Sequence, residues 1–597
     1  MENQFEEQES DQLSTSTFSI LKQISKYIKP HLWAFLTGLL FYIILAGVEV
    51  VLPLITGEII DVLDVPNPEY LTIVKYSILF GVVVLMNGFF RFTGSLLIQK
   101  TAQEVVFELR KDVFKKIESF SIGQISEMPI GKWVTRVTND TNSVLTFFSN
   151  VLISLIYNVI VLVIIICAVL ISNWKLGLML LAFLPIVSVV SFAFARFSRK
   201  NYRSVRKNVS SMNAFLSENL SAMNTIQIFN QEENKKKEFE SVNEKLKRAN
   251  FKAINVYTVF RPLIFLLYYA AIFLVFAVGL KFVATGEMTI GGLYAFYLLA
   301  ERFFYPVQSI ANLFNQIQSA LAGAERVLGI LNKETKVKNC DNPIDLGRAK
   351  GKIEFRHVWF AYKGEDWILK DISFVVNPGD TVAFVGETGA GKSTIINLMV
   401  RNYDIQKGQI LIDDIDIKDI SLESLRGNIG QMLQDVFLFS GTIKSNISLD
   451  NPEIDEKAIV DSAKYVGADR FISRLENKYD QEVLENGNNF SSGERQLISF
   501  ARVVTYHPPI VVLDEATSNI DTETEVIIQN SLEKIKSIGT MVMVAHRLST
   551  IKHASRIYVI DAGKIVEQGS HQTLLKKRGI YYTLYRMQSM RKKIDNA

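Results

Sequence analysis

Apolar positions along the chain fall into two regimes. The first half carries long unbroken apolar runs, about Leu32–Ile55, Leu71–Ile98, Val151–Ile171, Leu176–Ala195, Leu263–Ala284 and Ile290–Leu313. Each approaches or exceeds the roughly 20 residues that a bilayer core demands. A buried helix of a water-soluble protein mimics one such run, but not a series confined to one half of the chain. The pattern therefore predicts a domain over 18–320 with six membrane-spanning helices. Ahead of the first span, apolar residues at 20, 21, 24, 27 and 28 form one helical face, with lysines on the other. This predicts an elbow helix lying at the membrane surface.

Two connections between spans, 101–146 and 196–257, are mostly charged, with apolar residues at three-four spacing. Structureless loops of that length are uncommon. The spacing predicts helices that project beyond the membrane and turn through short cross-helices near Ser121–Ser126 and Phe215–Met223. Residues 321–350 are charged, starting helical and ending as a linker. From Gly351 to the end, short apolar strands alternate with helices, which predicts an α/β domain over 351–597. The fold class is thus a multidomain membrane protein, an all-α domain of six spans followed by an α/β domain.

Charge adds an orientation. Lys22, Lys26 and Lys29 precede the first span, and residues 56–72 after it hold no Lys or Arg but Glu58, Asp61, Asp64 and Glu69. Lys100, Arg110, Lys111, Lys115 and Lys116 follow the second span. Arg196, Arg199, Lys200, Arg203, Arg206 and Lys207 follow the fourth. The excess of basic residues puts both ends and both long connections on the cytoplasmic side of the cell membrane. Residues 1–17 are polar and acidic, unlike the basic start of a secretory signal, and read as a disordered tail. The net charge of +4 gives no case for nucleic acid. Cys167 and Cys340 sit in different regions and offer neither a disulfide framework nor a zinc site.

The chemistry lies in the second half. Gly386-Glu387-Thr388-Gly389-Ala390-Gly391-Lys392-Ser393-Thr394 follows the apolar run 381–385 and precedes a helical pattern from Ile395. Strand, glycine turn and helix are the context a phosphate-binding loop requires. Its amides and the helix dipole attract an anion, Lys392 reaches the β- and γ-phosphates, and Ser393 offers its hydroxyl to Mg²⁺. Residues 510–513 form an apolar strand ending in two acids, suited to Mg²⁺ (Asp514) and to the attacking water (Glu515). Tyr362 is an aromatic suited to stacking on adenine or to ordinary packing. Ser491-Ser492-Gly493-Glu494 opens a helix, as an anion site or a plain cap. Gln434 and His546 each follow a strand, where a ligand crevice forms.

These motifs, in this order, resemble the nucleotide-binding domain of the ATP-binding cassette family, and the spans ahead of it resemble that family's exporter half-transporters. The resemblance covers nearly the whole chain. It implies ATP and Mg²⁺ as cofactors and ATP-driven transport, with Tyr362 stacking on adenine and Gln434 sensing Mg²⁺ and the γ-phosphate. It also implies Glu515 as catalytic base, His546 as the γ-phosphate switch, and Asp521 in a loop that communicates across a dimer. Each of two ATP molecules would lie between one chain's phosphate loop and the other's signature turn, and the cross-helices would carry the nucleotide state to the membrane. The family's usual signature is Leu-Ser-Gly-Gly-Gln. Here Phe490-Ser491-Ser492-Gly493-Glu494 places a serine for a glycine and a carboxylate for the glutamine. An altered signature beside an intact hydrolytic set resembles one subunit of the heterodimeric bacterial multidrug exporters. A homodimer that tolerates the change is the alternative.

For the substrate, Tyr294, Tyr297, Glu301, Phe304 and Gln308 fall on one helical face. Aromatics with one acid suit a cavity for amphipathic, cationic compounds, and packing among helices is the competing reading. Glu49 and Arg91 are further charges within spans, placed to pair with each other or with partner helices. Export of small amphipathic compounds is the expectation, with membrane lipids as surroundings. A lipid flippase is the near alternative. An ATP-gated channel or sensor is a more distant one, which intact Glu515 and His546 argue against. Nothing ahead of the first span suggests a peptidase.

Overall fold

The computed structural model describes residues 17–66, 68–433, 435–514, 522–544 and 551–595. Two compact units emerge, one of residues 1–118 and 129–333, the other of 119–128 and 334–597.

The first unit is helical. α1 (Thr17–Ile28) leads into α2 (Leu32–Asp64) and α3 (Tyr70–Glu118). After the short α4 (Ile122–Ile125), which belongs to the second unit, come α5 (Ile130–Ser172) and α6 (Trp174–Ser221). α7 (Met223–Ile228), α8 (Glu232–Ala284) and α9 (Ile290–Asn332) complete it. Among the described residues, five segments are long and apolar enough to cross a membrane: Lys22–Asp64, Tyr70–Glu118, Ile130–Ser172, Trp174–Ser221 and Glu232–Ala284. The sixth expected span lies in α9, which carries Glu301 and Arg302 midway along its apolar stretch and falls outside that set.

Side-chain caps set where helices begin. The Asn173 side chain accepts the Leu176 N–H at 3.1 Å and starts α6. Thr289 accepts the Gly292 N–H at 2.9 Å and starts α9, and Asp61 of α2 accepts the Gly291 N–H at 2.7 Å. These bonds satisfy amides that have no partner within their own helix. The core of the unit gathers Ile165 and Val169 of α5, Leu176 and Leu180 of α6, and Phe296, Leu299 and Phe303 of α9. Two π-helical turns, Arg136–Asp140 and Phe147–Val151, interrupt α5. At the first, Asp140 is buried and bound by Arg326 through two bonds, 2.9 and 2.6 Å.

The second unit is α/β. β1 (Ile353–Ala361), β2 (Trp367–Val376), β4 (Lys407–Ile412) and β5 (Ile415–Asp416) form an antiparallel sheet in the order β2-β1-β4-β5. β3 (Thr381–Val385), β6 (Ile429–Met432), β9 (Ile510–Asp514), β10 (Thr540–Val544), β11 (Arg556–Asp561) and β12 (Lys564–Gly569) form the other, ordered β12-β11-β3-β10-β9-β6. A two-residue pair, β7 (Gly441–Thr442) and β8 (Glu482–Val483), stands apart. In the six-stranded sheet β6, β9, β10, β3 and β11 run parallel. β3 and β10 are buried along their whole length, as continuous apolar runs in a covered parallel sheet should be.

One boundary differs from the sequence expectation. The second cross-helix is Met223–Ile228 rather than Phe215–Met223, because no Gly or Pro interrupts 215–221 and α6 continues to Ser221. The helical start of residues 321–350 is the end of α9, which runs to Asn332.

Candidate functional site

Parallel pairing brings several strand ends to one edge. Phe384 of β3 pairs with Val544 of β10, Val544 with Asp514 of β9, and Leu513 with Met432 of β6. The chain leaves each of these strands at the same edge, the place where open α/β sheets bind ligands. The phosphate loop starts there. A Cβ on Gly386 would collide with the Ile560 carbonyl oxygen, so the close approach of β3 and β11 demands glycine. Gly391 sits at φ +105°, and a side chain there would strike Leu369. It is the N-cap of α10 (Lys392–Met399). Glu387, Thr388 and Gly389 are exposed at the loop's tip, and Ala390 is buried beneath them.

Lys392 is only 5% exposed. Its ammonium donates to the Gly386 and Glu387 carbonyls at 2.9 and 2.7 Å, closing the loop over its own charge. Ser393, exposed, donates through Oγ to Asp514 Oδ1 at 3.4 Å. Thr394 is buried, and its hydroxyl lies 3.1 Å from the Tyr362 hydroxyl. That contact ties the aromatic of the 353–376 hairpin to the first turn of α10. The Tyr362 ring is 47% exposed and meets Phe360 and Tyr403 edge to face at 4.9 and 5.1 Å. Tyr403 was not anticipated from sequence. It follows α10 with no periodic signal to link it to residue 362. Burial, with Tyr362 adding to it, raises the Tyr403 hydroxyl above its ordinary range.

The structure thus brings Tyr362, Lys392, Ser393, Thr394 and Asp514 into one region. Gln434, Glu515, Asp521 and His546 lie outside the described residues. β6, β9 and β10, the strands that lead toward Gln434, Glu515 and His546, end at the edge just described.

The signature segment opens α11 (Ser492–Tyr506). Ser491 is its N-cap and Glu494 closes a capping box. The Glu494 carboxylate accepts the Ser491 N–H at 2.8 Å and the Ser491 hydroxyl at 2.9 Å, and the Glu494 N–H donates back to that hydroxyl at 3.3 Å. Gly493 is buried and Ser492 half-buried.

On α9 the five residues read as one face meet different surroundings. Tyr294 and Tyr297 pack together at 5.8 Å, with Phe276 5.5 Å from Tyr297. Phe304 is in the core against Tyr268 at 5.7 Å, while Glu301 is exposed and Gln308 half-buried. Arg91 pairs with Glu49 at 2.6 Å, and Arg302 donates to the Glu49 carbonyl at 2.7 Å.

Residues 35–307 match the family described as the ABC transporter transmembrane region, and 369–518 match the ABC transporter family. The chain is 38% identical to a probable multidrug resistance ABC transporter ATP-binding/permease protein, YheH, of Bacillus subtilis, over 88% of this chain and 78% of that protein. It is 32% identical to an ATP-dependent lipid A-core flippase of Syntrophus aciditrophicus, over 96% and 95%. The structure of a bacterial Atm1-family ABC exporter with ATP bound superimposes with a TM-score of 0.76 at 27% identity, covering 93% of this chain and 98% of that one. The chain belongs to the ABC transporter family, with the exporter fold, a membrane domain followed by an ATP-binding domain, and ATPase activity coupled to transport.

Proposed function

We propose that the chain is one subunit of a heterodimeric exporter that drives small amphipathic compounds out of the cell, its termini and ATP-binding unit facing the cytoplasm. The observation that carries this reading is the signature turn. Both donors of Ser491 that an incoming phosphate would use are engaged by Glu494, a carboxylate of the same chain. A second anion must displace a satisfied one and sit near its charge. The chain nonetheless keeps Lys392, Ser393, Asp514, Glu515 and His546. A subunit with its own hydrolytic residues and a poor signature fits a pair of unequal ATP sites.

In the competent site, Tyr362 stacks on adenine and Lys392 exchanges loop carbonyls for phosphate oxygens. Mg²⁺ fits the Ser393 hydroxyl and the Asp514 carboxylate, hard oxygen donors 3.4 Å apart, with Gln434 as a further ligand. Bound there, the ion would neutralise phosphate charge. Glu515 orients and deprotonates the attacking water, His546 holds the γ-phosphate, and Asp521 links the two sites. For substrate, Tyr294, Tyr297 and Glu301 are the accessible aromatic and acidic groups among the five residues read as one face of α9. The similarity to a lipid flippase supports a second reading in which the amphipath is a lipid.

The test is to purify the chain alone and with a candidate partner half-transporter, reconstitute both in lipid, and measure ATPase activity. The reading expects substrate-stimulated activity only in the pair. Full stimulated activity from the chain by itself overturns the heterodimer and makes the signature change a tolerated one.

A further inference from the structure

The tyrosine packed beside Tyr362 has another neighbour. Residues 119–128 cluster with the ATP-binding unit, and their short helix α4 is fixed there by Gln124. The Gln124 side chain is fully buried. Its Nε2 donates to the Glu334 carbonyl at 2.8 Å, and its Oε1 accepts the Lys336 N–H at 2.9 Å. One amide side chain thereby grips both faces of the backbone at 334–336. Lys336 adds an ion pair to Glu127 at 2.7 Å. Held this way, α4 sets Gly123 against the Tyr403 ring. A Cβ at Gly123 would lie 2.8 Å from Cδ1 of Tyr403 and nearer still to Cε1, so only glycine permits the approach. The same ring meets Tyr362 edge to face at 5.1 Å and Phe360 at 5.6 Å.

We infer that Tyr403 is a positioning residue that sets the Tyr362 ring for stacking on the nucleotide base, and that Gly123 of the cross-helix sets Tyr403 in turn. The affinity for the base and the seating of the cross-helix are then linked, and linkage is reciprocal: a base bound on Tyr362 favours one seating of α4, and a shift of α4 changes the affinity for the base. The link concerns the base, because Tyr403 meets the Tyr362 ring while Lys392 and Ser393 make no part of the contact and Thr394 touches only the Tyr362 hydroxyl. The inference rests on the reading of Tyr362 as the adenine platform, and the experiment separates the two.

In the full-length protein in lipid, binding of ATP is compared with binding of inorganic tripolyphosphate, which has the phosphates and no base. Tyr362→Ala tests the platform. Gly123→Ala forces the Tyr403 ring to move, and should weaken ATP by about fivefold while leaving tripolyphosphate unchanged, the size of one lost aromatic pairing. Tyr403→Phe keeps the ring and should keep ATP affinity. Tyr403→Ala should weaken ATP, and adding Gly123→Ala to it should cost nothing more, because the obstructing ring is gone. Additive losses, or losses shared by tripolyphosphate, would overturn the inference by showing independent or general damage. If Tyr362→Ala discriminates against ATP and Gly123→Ala does not, the platform stands and the link to the cross-helix fails. If Tyr362→Ala leaves ATP binding unchanged, both fail.

Discussion

Lys392→Met removes the ammonium and keeps most of the apolar stem, so it isolates the charge. In the structure the ammonium is not idle. It donates to the Gly386 and Glu387 carbonyls at 2.9 and 2.7 Å while 5% exposed. Binding ATP therefore trades two bonds to neutral carbonyls for bonds to charged phosphate oxygens. Both carbonyl bonds are already charge-assisted by the ammonium, and charge on the acceptor as well adds roughly 1 kcal/mol of Coulomb attraction to each at a high effective dielectric. Two such exchanges give about 2 kcal/mol, or roughly thirtyfold in Kd for ATP. The loss is smaller than a free lysine would imply, because the loop's own carbonyls compete for it. The loop also loses its internal tie, so Lys392→Met should speed proteolysis around 386–391 when nucleotide is withheld. Equilibrium binding of ATP to the reconstituted protein measures the first effect. An ATP Kd within about threefold of wild type would refute the exchange.

Other changes test separate parts of the account. Asp140→Asn should destabilise the membrane unit by about 1–2 kcal/mol, less than a fully buried pair because the Arg326 side chain is 42% exposed, read as a lower unfolding midpoint in detergent; no change would mean the pair contributes nothing. Glu301→Gln should reduce export of cationic amphipaths more than of neutral ones, and equal losses would favour a purely structural acid. Ser492→Gly with Glu494→Gln frees the Ser491 hydroxyl from a charge and should raise ATP turnover of the paired complex by less than about threefold. A tenfold rise would show that this turn by itself limits the site.

How much of this was legible in sequence follows from how local each feature is. The phosphate loop is contiguous, and the spacing from Gly386 to Lys392 dictates both the turn and the helix that follows. The strand ending at Asp514 was visible for the same reason, since an apolar run that stops at two acids marks an exposed strand end. Ser491 and Glu494 carry the Ser-x-x-Glu spacing of a capping box, so the cap was readable. That the cap occupies the donors of an anion site appears only in the geometry. Tyr403 was not readable, because its contacts join segments around residues 123, 362 and 403 that no periodicity connects. Gln124 sits in a short stretch where a buried amide looks like any polar residue of a cross-helix. The face from Tyr294 to Gln308 was legible as a stripe, but not the burial of Phe304, which depends on Tyr268 of a neighbouring helix.

If ATP hydrolysis at Glu515 drives a substrate across the membrane, transport into proteoliposomes with the ATP-binding unit outward reports it. The chain, with a candidate partner half-transporter, is reconstituted with a fluorescent amphipathic cation outside, and uptake is followed on adding ATP and Mg²⁺. The account predicts uptake against a gradient that stops in Glu515→Gln, while that variant still binds ATP with near wild-type affinity, because the carboxylate acts on water and not on the nucleotide. Uptake by Glu515→Gln at the wild-type rate would contradict the account.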